Sequence, residues 1–154
     1  MRAEFINPFV VSTQSVFQTM LGCSLTRGPL SMAAGNAPLH EVSGLIGLCG
    51  GCQGMVVVNL RRDTALGVAA AMLGDQPEEL DAEVLDAVGE LTNMIAGAAK
   101  TQLEAYRLSI GLPTVICGQS TSLKFPSATQ PIVIPFDSSI GPLCLQVGMA
   151  ETPS

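Results

Sequence analysis

The sequence predicts an α+β fold. It reads as one domain spanning 1–154, a mostly antiparallel sheet with helices packed on it, one of them long. Three observations carry this. Apolar residues between Asp81 and Arg107 recur with the period of an amphipathic helix. Two apolar runs, Glu41 to Cys49 and Cys52 to Leu60, flank Gly50 and Gly51 as the strands of a hairpin do. After Arg107 the period shortens, and prolines punctuate short strand-like runs. A chain of 154 residues can bury one sizeable core. No internal repeat, low-complexity tract or linker divides it.

The elements follow in order. Asn7 and Pro8 read as the cap and first position of a helix whose apolar residues include Phe9, Val10, Val16, Phe17, Met20 and Leu21. Gly22 stops it. Leu25 to Ala34, broken by Gly28 and Pro29, leaves room for one short strand. The glycines of the hairpin that follows point to tightly covered strands or bulges. Arg62 to Leu73 is a short, alanine-rich helix closed by Gly74, and Pro77 to Leu80 leads to Asp81, the cap of the long helix. Pro113 to Cys117, Thr121 to Phe125, Gln130 to Phe136 and Gly141 to Met149 read as strands, and Glu151 to Ser154 as a frayed tail.

Composition narrows the function. The chain is 47% hydrophobic and only 13% charged, which implies a large buried fraction or apolar surface covered by another subunit. A net charge of -6 without any basic cluster argues against nucleic acid and anionic membranes as partners. No apolar run reaches the roughly 18 residues of a membrane span, and MRAEFINPF has no signal-peptide core, so the expected compartment is the cytoplasm. The odd number of cysteines favours free thiols there. Cys49-Gly-Gly-Cys52 has the spacing of a redox pair, but it sits at a hairpin turn rather than at a helix start. A zinc site would need further ligands, and His40 is the only histidine.

The long helix holds the strongest functional signal. At about 100° per residue, Glu83, Asp86, Glu90, Asn93 and Gly97 fall on one side. Val84, Leu85, Val88, Leu91, Ile95, Ala99 and Leu103 fall largely on the other, an ordinary core stripe. Most acidic helix faces are simply solvated. This one also spends Gly89, Asn93 and Gly97, and a mid-helix glycine costs roughly 1 kcal/mol relative to alanine. The close approach of another backbone would explain that cost. The acidic run Asp75 to Glu83 is a solvated approach to a helix N-terminus, where negative charge is favourable.

Catalytic groups are otherwise scarce. No serine lies in GxSxG, and no GxxxxGK[ST] or GxGxxG is present. An asparagine amide both donates and accepts hydrogen bonds, so it can orient a water without being a base. That suits hydrolysis of a phosphoryl group carried by another molecule, where positioning dominates.

Asp86-x-x-x-Glu90-x-x-Asn93, continuing MIAG, resembles the signature of the CheC/CheX/FliY phosphatases of bacterial chemotaxis, and the chain looks most like the CheX branch. The resemblance extends over INPF at 6–9, SGLIGL at 43–48, GMVVVNL at 54–60, LDAEVLDAVGELTNMIAG at 80–97, LPTVICG at 112–118 and VIPFDSSIGPL at 133–143. It implies an enzyme that dephosphorylates a phosphorylated CheY-like response regulator, and a homodimer. Glu90 would pair with a lysine of the regulator and Asn93 would position the attacking water; Asp86 and Gly97 would form the rest of the docking strip. Mg²⁺ would belong to the regulator's receiver domain, with no cofactor on this chain. The alternative is a non-catalytic adaptor that binds a receiver or a flagellar-switch protein through the same strip. Asn93 separates the two, because an adaptor has no use for an amide opposite a phosphoryl group.

Overall fold

The runs that flank Gly50 and Gly51 form the centre of the sheet. The computed structural model describes residues 3–32, 40–118, 123–125 and 130–153. In chain order the elements are α1 (Ala3–Leu21), β1 (Thr26–Arg27), β2 (Ser31–Met32), β3 (Val42–Cys49), β4 (Cys52–Leu60), α2 (Arg62–Leu73) and α3 (Ala82–Gln102). A 3₁₀ turn (Glu104–Tyr106), β5 (Ser109–Ile110), β6 (Thr114–Cys117), β7 (Ile132–Asp137) and β8 (Leu143–Glu151) complete it. The strands form one antiparallel sheet in the order β1-β7-β8-β4-β3-β5; β2 also pairs with β7, and β6 with β3.

Register sets the core. Val42, Ile46 and Leu48 of β3 share a face with Val56, Val58 and Leu60 of β4 and with Leu143, Leu145 and Val147 of β8. This face joins Phe9 and Phe17 of α1 and Val88, Leu91 and Ile95 of α3 in one buried cluster. Ala69 of α2 and Val84 and Ala87 of α3 form a smaller seam between those helices.

The expected α+β architecture is present, with the hairpin and the short second helix at their expected places. Asp81 caps α3, its carboxylate accepting from Val84 N–H at 3.0 Å. Gly74 closes α2 in a left-handed conformation, φ 78°. Four local readings need correction. First, α1 starts at Ala3, so Asn7 and Pro8 lie inside it. Buried Phe5 and Ile6 draw the preceding turn into the helix, and Phe5 meets the Tyr106 ring at 5.2 Å. Tertiary packing there outweighs the one hydrogen bond that proline removes.

Second, α3 stops at Gln102 rather than at Arg107. Leu103 leaves helical geometry, and Arg107 adopts φ 50°. The turn aims Tyr106 C=O at Gly51 N–H, 2.7 Å away. That contact explains the glycine pair: a Cβ at Gly50 or Gly51 would run into the backbone of Arg107 or Tyr106. Third, the tail is anchored as far as Thr152, whose hydroxyl donates to Gly50 C=O at 2.6 Å. Fourth, Leu25–Met32 holds two short strands rather than one, and Ser109–Ile110 adds another with no apolar run of its own. Of the expected strand Thr121 to Phe125, residues 123–125 are not extended in a ladder, and 121–122 lie outside the described residues, as does Ala34.

The start of β3 is fixed by a buried amide. Asn59 Nδ2 donates to Val42 C=O at 3.2 Å and to Ser43 Oγ at 2.8 Å, while Oδ1 accepts from His40 N–H at 2.8 Å. Cys144 lies opposite Asn59, and desolvation pushes its thiol up to about 11.

Candidate functional site

Helix α3 lies against β3 because β3 yields space for it. A Cβ at Gly44 would collide with Thr92 Oγ1, which instead donates to Val88 C=O at 2.8 Å. Val84, Val88, Leu91, Ile95 and Ala99 are buried. The opposite side of the helix is therefore turned outward, and it carries the expected strip. Glu83, Asp86 and Glu90 are exposed, while Asn93 and Gly97 are half-buried. At 1.5 Å of rise per residue, Glu90 and Asn93 stand about 4.5 Å apart along the axis, and Asp86 to Gly97 covers about 16 Å.

The two polar side chains at the centre are uncommitted. Among the described residues, none forms a hydrogen bond with the side chain of Glu90 or Asn93. The carboxylate and the amide are thus available to another molecule. At Gly97 a Cβ would meet nothing within 4 Å, so the missing side chain opens the surface rather than admitting a neighbouring strand. Gly89 is different: its Cβ would touch Val115 Cγ2 at 3.4 Å. That is ordinary van der Waals contact, so β6 lies against this turn of the helix without excluding a methyl group.

Between α3 and β6 runs an open groove of about 520 Å³ lined by Leu85, Asp86, Gly89, Glu90, Pro113 and Val115. Leu85, placed largely on the core side from the helical wheel, forms part of this wall. Sequence reading missed the groove, since its second wall comes from a strand remote in the chain.

The other candidates stay apart from the strip. His40 engages Asn59 through its backbone. All five cysteines are free; Cys49 and Cys52 flank the hairpin turn as expected, Cys49 exposed and Cys52 buried. Among the described residues, no group of three or more His, Cys, Asp or Glu could hold a metal ion. Among those residues, too, no helix is long and apolar enough to cross a membrane.

Residues 42–137 match the family described as chemotaxis phosphatase CheX. The CheY-P phosphatase CheX of Thermotoga maritima is 32% identical over 127 residues, covering 80% of this chain and 82% of its own. A CheC-like superfamily protein from Shewanella sp. PV-4 superposes with a TM-score of 0.90 at 35% identity, covering 97% of this chain and 99% of that one. The fold is shared with a Borrelia burgdorferi structure of CheX in complex with CheY, BeF₃ and Mg²⁺, at TM-score 0.83 and 23% identity, covering 97% of this chain and 100% of that one. The matched span contains the hairpin, α3, the Glu90–Asn93 strip and β6. The chain belongs to the family of the chemotaxis phosphatase CheX, and it is a phosphatase.

Proposed function

We propose that this phosphatase hydrolyses the aspartyl phosphate of a phosphorylated CheY-like response regulator, with Glu90 docking on the regulator and Asn93 orienting the attacking water. The observation that carries the reading is the uncommitted pair itself: a carboxylate and an amide about one turn apart on a rigid, outward-facing helix. The Thermotoga relative is named for action on phosphorylated CheY, which supports the choice of substrate.

The chemistry follows from what the strip offers. Glu90 pairs with a basic side chain beside the receiver's phosphorylation site, and this fixes the helix over the phosphoryl group. The Asn93 amide accepts from and donates to one water, holding it in line with the bond to be broken. The water oxygen bonds to phosphorus as the P–O bond to the aspartyl carboxyl breaks. Carboxylate and inorganic phosphate leave, and the water's protons pass to phosphate and solvent. Charge on the phosphoryl oxygens is met by Mg²⁺, which we assign to the receiver rather than to this chain. Asp86 extends the acidic contact, and Gly97 lets the receiver backbone approach. The protein acts as a homodimer in the cytoplasm.

Asn93→Ala tests the reading. Alanine is the better helix former, so the fold should persist. Receiver binding should change little, while hydrolysis at saturating protein should fall by on the order of 100-fold, as loss of one positioned hydrogen-bonding group does. Decay of a phosphorylated CheY receiver, followed with wild type and variant, measures it. Retention of most of the wild-type acceleration would reduce the strip to a docking surface and assign the reaction to a different catalytic group.

A further inference from the structure

Leu112 is 92% exposed. A single exposed leucine is ordinary; its placement here is not. It sits immediately before Pro113, which lines the groove alongside Asp86 and Glu90. Its loop is braced from both ends. Ile110 pairs with Leu48 and Thr114 with Leu45, so β5 and β6 both lie along the same strand, β3. Between them Gly111 N–H donates to Gly47 C=O at 3.0 Å. The groove itself has apolar walls, from Leu85, Pro113 and Val115, and a rim carrying two carboxylates.

We infer that this groove, together with the exposed Leu112 that precedes its Pro113 wall in the chain, is a second docking element for the receiver domain, taking an apolar side chain flanked by a basic one while Leu112 packs against the receiver's own apolar surface. The inference rests on the reading of the α3 strip as the site that faces the receiver. Three features favour the receiver as occupant. The groove shares Asp86 and Glu90 with that strip, so a protein seated on one necessarily borders the other. Its rim is acidic, which selects a basic partner segment. Its projecting leucine stands on a preorganised loop, which lowers the entropy lost on docking. In this arrangement the strip performs the reaction, and the groove sets which receivers it acts on.

The test separates the two halves. Binding of a CheY receiver loaded with BeF₃⁻ and Mg²⁺ is titrated against wild type, Leu112→Ser and Asn93→Ala, and single-turnover dephosphorylation and sedimentation are measured on the same proteins. Leu112 is almost fully exposed, so its substitution leaves the core untouched. The expected result for Leu112→Ser is a Kd raised about tenfold, an unchanged hydrolysis rate at saturation and unchanged self-association. A Kd within twofold of wild type overturns the inference. So does altered self-association with receiver affinity retained, which would make the groove a contact between copies of this chain. If Asn93→Ala loses hydrolysis while Leu112→Ser binds as wild type does, only the groove is wrong. If Asn93→Ala hydrolyses normally, the catalytic reading of the strip is wrong, and the groove then stands or falls on the Leu112→Ser affinity alone.

Discussion

In the proposed reaction Glu90 and Asn93 divide the work of one helix turn, and the division is measurable. Glu90 is exposed, so its carboxylate is fully hydrated until a partner arrives. In the proposed complex, docking strips that water away and replaces it with a cation. Truncating one member of such a pair costs roughly 2–5 kcal/mol, because the other charge stays buried and unpaired. Glu90→Ala should therefore weaken association with the phosphorylated receiver. It should lower kcat/KM with it, and the loss should shrink as salt screens the pair. Equal affinity for wild type and variant in a receiver titration would take Glu90 out of the site. Asn93→Ala should show the opposite split, with affinity kept and turnover lost. Both residues were legible from the sequence because helical periodicity assigns a side chain to a face without any tertiary information. Their neighbours across the groove, Pro113 and Val115, were not. Their place beside Glu90 depends on β6 pairing with β3, a long-range contact that no local pattern encodes.

At the scale of elements, glycine decides how close α3 comes to the sheet. Gly44 stands opposite Thr92, and the position of a Cβ there is already taken by the threonine hydroxyl. Gly44→Ala should therefore push the helix outward or force Thr92 into another rotamer, at about 1–3 kcal/mol of stability. Thermal or denaturant unfolding measures the loss. Gly44→Ala with Thr92→Ala should recover part of it, since removing the hydroxyl relieves the tightest contact. A Gly44→Ala protein as stable as wild type would show that the helix is not seated by this contact. The same physics accounts for where the sequence reading of elements held and where it slipped. Asp81 and Gly74 terminate their helices by local hydrogen bonding and backbone conformation, and both ends were read correctly. The start of α1 and the end of α3 are set by contacts between segments far apart in the chain, Phe5 with Tyr106 and Gly51 with Tyr106. Residues β1, β2 and β5 contribute to ladders are too few to show any period, and only the partner strand defines them.

For the whole molecule, low charge and open strand edges point to self-association. Only 13% of residues are charged, well below the roughly 25% of an average soluble domain. Among the described residues, β6 pairs on one side only, with β3, although its Ile116 is apolar. An apolar edge with unpaired backbone groups is a surface that natural proteins cover. We propose that the cover is a second copy, joined partly through strands of the second half of the chain. A second copy that extends the sheet beyond the free edge of β6, without reaching over to α3, leaves the α3 strips and their grooves open, and with that geometry dimerisation and receiver binding should be independent. Sedimentation equilibrium at micromolar concentration should give twice the 15.9 kDa of the chain, and adding BeF₃⁻-loaded receiver should increase the mass without dissociating the pair. A species of 15.9 kDa would refute the dimer outright. A dimer that splits as the receiver binds would place the subunit contact on the strip or its groove, and the geometry of docking would have to be redrawn around that competition.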